Sequence, residues 1–172
     1  MQRYCRQSQA APVIAATAAT MTTATADQPH EAPVVIVTVN GEPFVCVKAS
    51  PIGSQLLPQQ GLFALRKFKA GDVLGQYRGT VFWNSESVPE NTDYVATFVA
   101  TRRSQEHERT GRYWVDGKDA GPPFLNKIND ARGTPFKCNA KLTGSGRVVV
   151  TRTIQAGQEI LMSYGADYWS GR

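Results

Sequence analysis

The sequence predicts a mainly β domain built from short strands, and three observations carry that prediction. Fifteen glycines and ten prolines punctuate the chain, which favours frequent turns over long regular elements. No apolar period of 3.6 persists beyond a few residues, so no helix longer than two or three turns is expected. Two β-rich runs, PVVIVTV and EPFVCVK, flank Asn40-Gly41, the dipeptide best suited to the positive φ angles of a tight hairpin turn.

The elements follow in order. Residues 1–31 are dominated by Ala, Thr and Gln, have no acid before Asp27 and offer few large apolar groups. Such a segment buries too little surface to offset its ordering entropy, so it reads as a disordered tail outside the fold. Its Arg3 and Arg6 among Ser, Thr and Ala also fit an organelle transit peptide. The domain is expected over 32–172, opening with the hairpin. SPIGSQLLPQQG reads as a loop, and GLFALRKF and DVLGQYRGTVFW as strands joined by a turn at Lys69 to Gly71. Residues 84–112 form a polar insert whose one buried-looking island is YVATFVA, 94–100. The strand RYWVDGK follows, then the irregular DAGPPFLNKINDARGTPFKCNAKL, a hairpin through GSGRVVVTRTI, and the apolar run EILMSYG.

That last run ends on a phenol, which costs free energy to bury unless its hydroxyl finds a partner. The chain contains a similar arrangement earlier. KAGDVLGQYRG and QAGQEILMSYG both run from Ala-Gly through an extended apolar stretch to a tyrosine near a glycine, Tyr77 in the first and Tyr164 in the second. Two weak repeats of this kind point to a duplicated β unit, although Ala-Gly turns and tyrosine-ended strands also arise by chance.

Composition excludes several function classes. At 172 residues the chain is the size of one ordinary domain. No apolar run is long enough to span a bilayer, and no membrane partner is expected. The net charge of +5 is dispersed among acids, as in TRRSQEHERTGR, which gives little support to direct nucleic-acid binding. Cys5, Cys46 and Cys138 are odd in number and far apart, so neither a disulfide framework nor a metal site is expected, and a reducing compartment is the simpler reading. Oligomeric state is left open.

Asn126, Asn129, Asp130 and Asn139 cluster in the Gly- and Pro-rich segment just before the strand that ends on Tyr164. Singly, each is explained by ordinary side-chain turns. Together, SPIG…QQGLFALRKFKAGDVLGQYRG, YWVDGKDAG, KINDARGTPFKCNAKL and TIQAGQEILMSYGADYW resemble, in order, the motifs of the SET domain, the lysine methyltransferase fold. The similarity spans about residues 44–169 and is to the variant with an IND.RG motif, without cysteine-rich flanking modules.

The resemblance implies a SET-domain (β-clip) fold of several small curved sheets and short helices, with the C-terminal chain threaded under a loop as a pseudoknot. It implies transfer of a methyl group from S-adenosylmethionine to a lysine of a protein or peptide substrate, histones among the candidates, in the nucleus or cytoplasm unless the tail directs organelle import. A degenerate SET-like module that only binds peptide is the alternative. In the family pattern Tyr164 is the catalytic tyrosine and Tyr77 the channel tyrosine; Tyr94 and Met162 fall along the substrate channel, with core packing the simpler reading for Tyr94. Gln60, Gly61 and Leu62 match the loop near the methionine end of the cofactor, glycine permitting close approach. Asn129 and Asp130 take the place of the family's Asn-His pair; FLN at Asn126 also imitates it, but the spacing to Asn139 favours Asn129. Trp169 either covers the adenine or simply packs. Two departures stand out: an acceptor-only carboxylate, Asp130, replaces histidine, and Gln59 replaces the first glycine of Gly-x-Gly.

Overall fold

The computed structural model describes residues 16–21, 34–52, 59–90, 92–101 and 109–170. Asn40 and Gly41 adopt φ of 53° and 81°, so the expected hairpin turn joins β2 (Val34–Val39) to β3 (Glu42–Ala49). Positive φ at both positions matches the right-handed twist of the flanking strands. β4 (Gln60–Ala64) adds to β3 and β1 (Ala16–Met21) adds to β2, giving a sheet of order β1-β2-β3-β4.

β1 lies inside the segment that composition assigns to a disordered tail. It pairs with β2 from Ala16↔Val39 to Met21↔Val34. An edge strand needs only a partner for its backbone groups, which β2 offers, and threonine is a good strand former; neither property registers in a count of buried apolar area. The rest of the expected tail, 1–15 and 22–31, lies outside the described residues.

The repeated sequence proves to be a local two-fold arrangement. Phe68 and Ile154, equivalent positions of the two copies, exchange backbone hydrogen bonds of 2.9 and 3.0 Å. Gly71 N donates to Val150 O at 2.9 Å, and its counterpart Gly157 N donates to Ala64 O at 2.7 Å. Val150 N to Asp72 O is matched by Ala64 N to Gln158 O, both 2.9 Å. Even the turns agree: Lys69 N donates to Asp72 Oδ2 as Gln155 N donates to Gln158 Oε1, both at 2.8 Å. The residues that follow each turn, Leu74 and Ile160, are 1% and 0% exposed and share one core with Val37, Val45, Leu62, Val148 and Val150. Burial of each such side chain is worth about 1.5–3 kcal/mol.

Two further sheets complete the frame. β5 (Val73–Gln76) is the edge of a sheet of order β10-β11-β5, with β10 at Ala140–Leu142 and β11 at Arg147–Val150. β6 (Thr80–Phe82), β7 (Val95–Ala100) and β8 (Gly111–Asp116) form the other, in the order β6-β8-β7.

β9 (Asn129–Asp130) runs parallel to β12 (Leu161–Met162). On the other side of β12, Asn139 N donates to Leu161 O at 2.9 Å and Leu161 N donates to Asn139 Oδ1 at 2.8 Å. The chain from 129 to 139 therefore grips both sides of the C-terminal strand, which is the expected pseudoknot. Helix among the described residues is confined to two 3-10 turns and α1 (Ala166–Trp169), and none is long and apolar enough to cross a membrane.

Candidate active site

Tyr164 leaves the threaded strand under firm control. Asp130, beside Met162 across the parallel ladder, accepts from Tyr164 N at 2.8 Å and Trp169 Nε1 at 2.9 Å through Oδ2, and from Arg132 N at 2.8 Å through Oδ1. The carboxylate that replaces the family's histidine is thus satisfied by three N–H donors and orients both aromatic residues. At the other end of the ring, Tyr164 OH donates to Ile128 O at 2.7 Å.

Tyr77 is held the same way. Its hydroxyl donates to Tyr94 O at 2.6 Å, and Gly117 N donates to that same carbonyl at 3.0 Å. A Cβ on Gly117 would stand 2.7 Å from the phenol oxygen, so the glycine of YWVDGK clears the space the hydroxyl occupies. Burial, the largest cause, raises both phenols above their usual 10.0; nearby Asp116 adds to it for Tyr77, and Tyr168 with Asp130 for Tyr164. Both tyrosines are therefore neutral at physiological pH.

Tyr77, Tyr94, Met162 and Tyr164 line one cleft of about 790 Å³, with Trp114 and Tyr168. Tyr168 meets Tyr164 edge-on at 4.8 Å. A second cleft of about 440 Å³ is lined by Asp130, Arg132, Lys137 and Trp169. Ser163 and Gly165 line both, so the segment carrying Tyr164 is a wall shared by the two. Trp169 lies nearly parallel to Tyr164, with ring centroids 6.4 Å apart, and the Arg132 guanidinium sits 5.4 Å from the indole centroid. An indole face and two cations suit a purine and a carboxylate, so these residues fit S-adenosylmethionine.

The other residues matched to the cofactor loop sit in a polar knot. Asn129 Nδ2 donates to Gln60 O at 3.0 Å and to Glu159 Oε1 at 2.8 Å, while Oδ1 accepts from Gln59 Nε2 at 2.9 Å. Ser50 Oγ donates to the Glu159 carboxylate at 2.8 and 2.9 Å. Gly61 does permit a close approach, but what approaches is Glu159: an added Cβ would overlap its Oε1. Leu62 is fully buried in the core. Asn126 stands apart, its Nδ2 donating weakly to Lys118 O at 3.4 Å.

Sequence reasoning missed Glu159, Ser50, Arg132, Lys137 and Tyr168. All five lay within the quoted motifs, Ser50 at the start of SPIG, Arg132 and Lys137 in KINDARGTPFKCNAKL, Glu159 and Tyr168 in the closing one, but nothing in the residue types singled them out there.

The SET domain family matches residues 59–165. No curated protein matches the chain in sequence. Among solved structures, the methyltransferase domain of human PR domain-containing protein 2 superposes with a TM-score of 0.51 and 19% identity, covering 71% of this chain and 77% of that one. That likeness speaks for the fold, and the strands, the threaded C-terminus and the ordered motifs agree with it. The chain belongs to the SET domain family.

Proposed function

We propose that the chain is a protein-lysine N-methyltransferase that uses S-adenosylmethionine. One observation carries the reading: the hydroxyl protons of Tyr164 and Tyr77 are both committed to backbone carbonyls, Ile128 O and Tyr94 O, in residues that line the same cleft. A phenol whose proton is spent has only lone pairs left to offer, so each oxygen accepts an N–H from an incoming amine and neither competes as a donor. Accepting those bonds orients the amine's lone pair, and alignment is what such a displacement needs most from a protein.

The aromatic walls do the second part of the work. A lysine that loses water on entering the tyrosine-lined cleft is disfavoured as the ammonium, which promotes the neutral nucleophile. Bound S-adenosylmethionine supplies an electrophilic methyl group, and Arg132, Lys137 and Trp169 would hold it across the Ser163–Gly165 wall. The complete internal use of Asn129's amide is the observation that favours the non-catalytic alternative.

Calorimetry with S-adenosylmethionine, followed by radiolabelled methyl transfer to histones and to lysate proteins, tests the proposal with wild type and Tyr164→Phe. Wild type should bind and transfer; Tyr164→Phe should still bind cofactor but transfer about 100-fold more slowly, the scale of a misaligned reactant. Cofactor binding with no transfer to any protein would overturn the enzyme reading, and an unchanged rate in Tyr164→Phe would overturn the residue's role.

A further inference from the structure

Phe136 and Lys137 line the cleft of Asp130 and Trp169, and they also line a third cleft, of about 530 Å³, that shares no other described residue with it. Four cations reach this third cleft from separate stretches of the chain. Lys137 and Arg152 are part of its wall, and Lys48 Nζ sits 4.4 Å from the ring centroid of Phe63, another wall residue. Lys69 stands opposite Thr153 at its margin, in the antiparallel register that Phe68 and Ile154 set. Arg152 also donates to Lys137 O, which fixes the guanidinium beside the lysine. Two carboxylates are near: Glu159, committed to Ser50 and Asn129, and Asp72, which accepts from Lys69 N. The cations outnumber them, so charge that is dispersed along the sequence is gathered on one face.

A second observation concerns Phe136. It is 50% exposed, the one aromatic among the large hydrophobic residues described as exposed. Its chain neighbour is Lys137, and Arg152 is tied to that lysine's carbonyl. An exposed ring among cations offers a face for a planar group and charge for the anion attached to it, the combination that holds single strands by stacking and phosphate contact.

We propose that this face binds single-stranded nucleic acid, with an unpaired base stacked on Phe136 and successive phosphates meeting Lys137, Arg152, Lys69 and Lys48. A duplex fits less well, because its bases are already stacked and only its phosphates would be met. An acidic peptide would meet the cations and leave the ring of Phe136 without a planar partner. None of these residues is among the described lining of the tyrosine cleft, so a bound strand leaves that cleft open. The binding goes beyond the methyltransferase reading and does not depend on it.

The test follows a short fluorescein-labelled single strand of mixed sequence, DNA or RNA, by fluorescence anisotropy with the full chain over a range of salt. Four phosphate contacts predict that the logarithm of the binding constant falls against the logarithm of salt with a slope of about −3. Lys69→Ala/Arg152→Ala should roughly halve that slope. Phe136→Ala should weaken binding about tenfold and leave the slope unchanged, which separates stacking from charge. The same sequence as a duplex, adenosine monophosphate and polyglutamate should each displace the strand poorly. No binding at low salt, unchanged affinity in Phe136→Ala or in Lys69→Ala/Arg152→Ala, or displacement by any of the three competitors as effective as by unlabelled strand overturns the inference. Methyl transfer is read separately on the same preparations: a chain that binds the strand but transfers no methyl group would sink the enzyme reading alone, and the reverse result would sink this one.

Discussion

Tyr164 and Tyr77 are the residues at which the sequence was most informative, and their environment shows why. Each closes one copy of a repeat, and each hydroxyl needs a partner because its ring is packed into the fold, Tyr77 buried and Tyr164 half-buried. What the sequence could not supply is the identity of those partners, since the backbone carbonyls of Ile128 and Tyr94 carry no side-chain signature. The same holds for Asp130: its substitution for histidine is visible, but not that Tyr164 N, Trp169 Nε1 and Arg132 N all converge on it. The phenols also make a stability prediction. Burial raises both above 10.0, so the folded state holds these protons more tightly than the unfolded chain does. Their contribution is complete below the unfolded value and is lost as pH climbs past it toward the folded one. Urea unfolding between about pH 9 and about pH 11 should show a smaller loss of stability in Tyr164→Phe than in wild type. Parallel curves for the two proteins would mean that the hydroxyl is not held as described.

At the scale of elements, the hairpin at Asn40-Gly41 and the strands around each Ala-Gly turn were legible because local turn chemistry and period-2 patterning specify them. β1 was not, because an edge strand of alanine and threonine draws its order from β2's backbone rather than from burial of its own side chains. The junction of β3, β4 and β9 shows a third case, in which the right residue was noticed for a different reason. Gly61 faces Glu159, whose carboxylate holds Ser50 and Asn129. Alanine at 61 must push that carboxylate off these donors, leaving the buried Asn129 amide and the half-buried Ser50 hydroxyl short of an acceptor at about 1–3 kcal/mol. Gly61→Ala should therefore be costly in wild type and much cheaper in a Glu159→Ala background, read by chemical denaturation as a double-mutant cycle. Equal cost in both backgrounds would show that the glycine serves something other than the carboxylate.

For the whole molecule, the distinction between what the sequence showed and what it hid is one of range. The repeat was readable because both copies carry it locally; the parallel contact of β9 with β12 was not, because two-residue strands so far apart leave no pattern, and only family likeness anticipated the threading. Yet the two features are mechanically one. The exchange of hydrogen bonds between Phe68 and Ile154 joins the copies just upstream of their turns, and from those turns run the two chains that end in Tyr77 and Tyr164. The dyad is thus the common base on which both cleft tyrosines stand. Antiparallel neighbours at such a point share packing, with Cβ atoms about 4.5–5.5 Å apart, and Phe68 and Ile154 are 1% and 0% exposed in the same core. The mild substitution Ile154→Val should cost about 0.5–1.5 kcal/mol, Phe68→Leu should also destabilise, and the pair should depart from additivity by about 0.5 kcal/mol or more. Tyr77 and Tyr164 should respond together in both single variants, since neither copy can loosen without its counterpart. Additive losses, or a shift in the tyrosine near-ultraviolet signal of one copy alone, would mean that the copies are merely adjacent and that each half of the cleft is supported on its own.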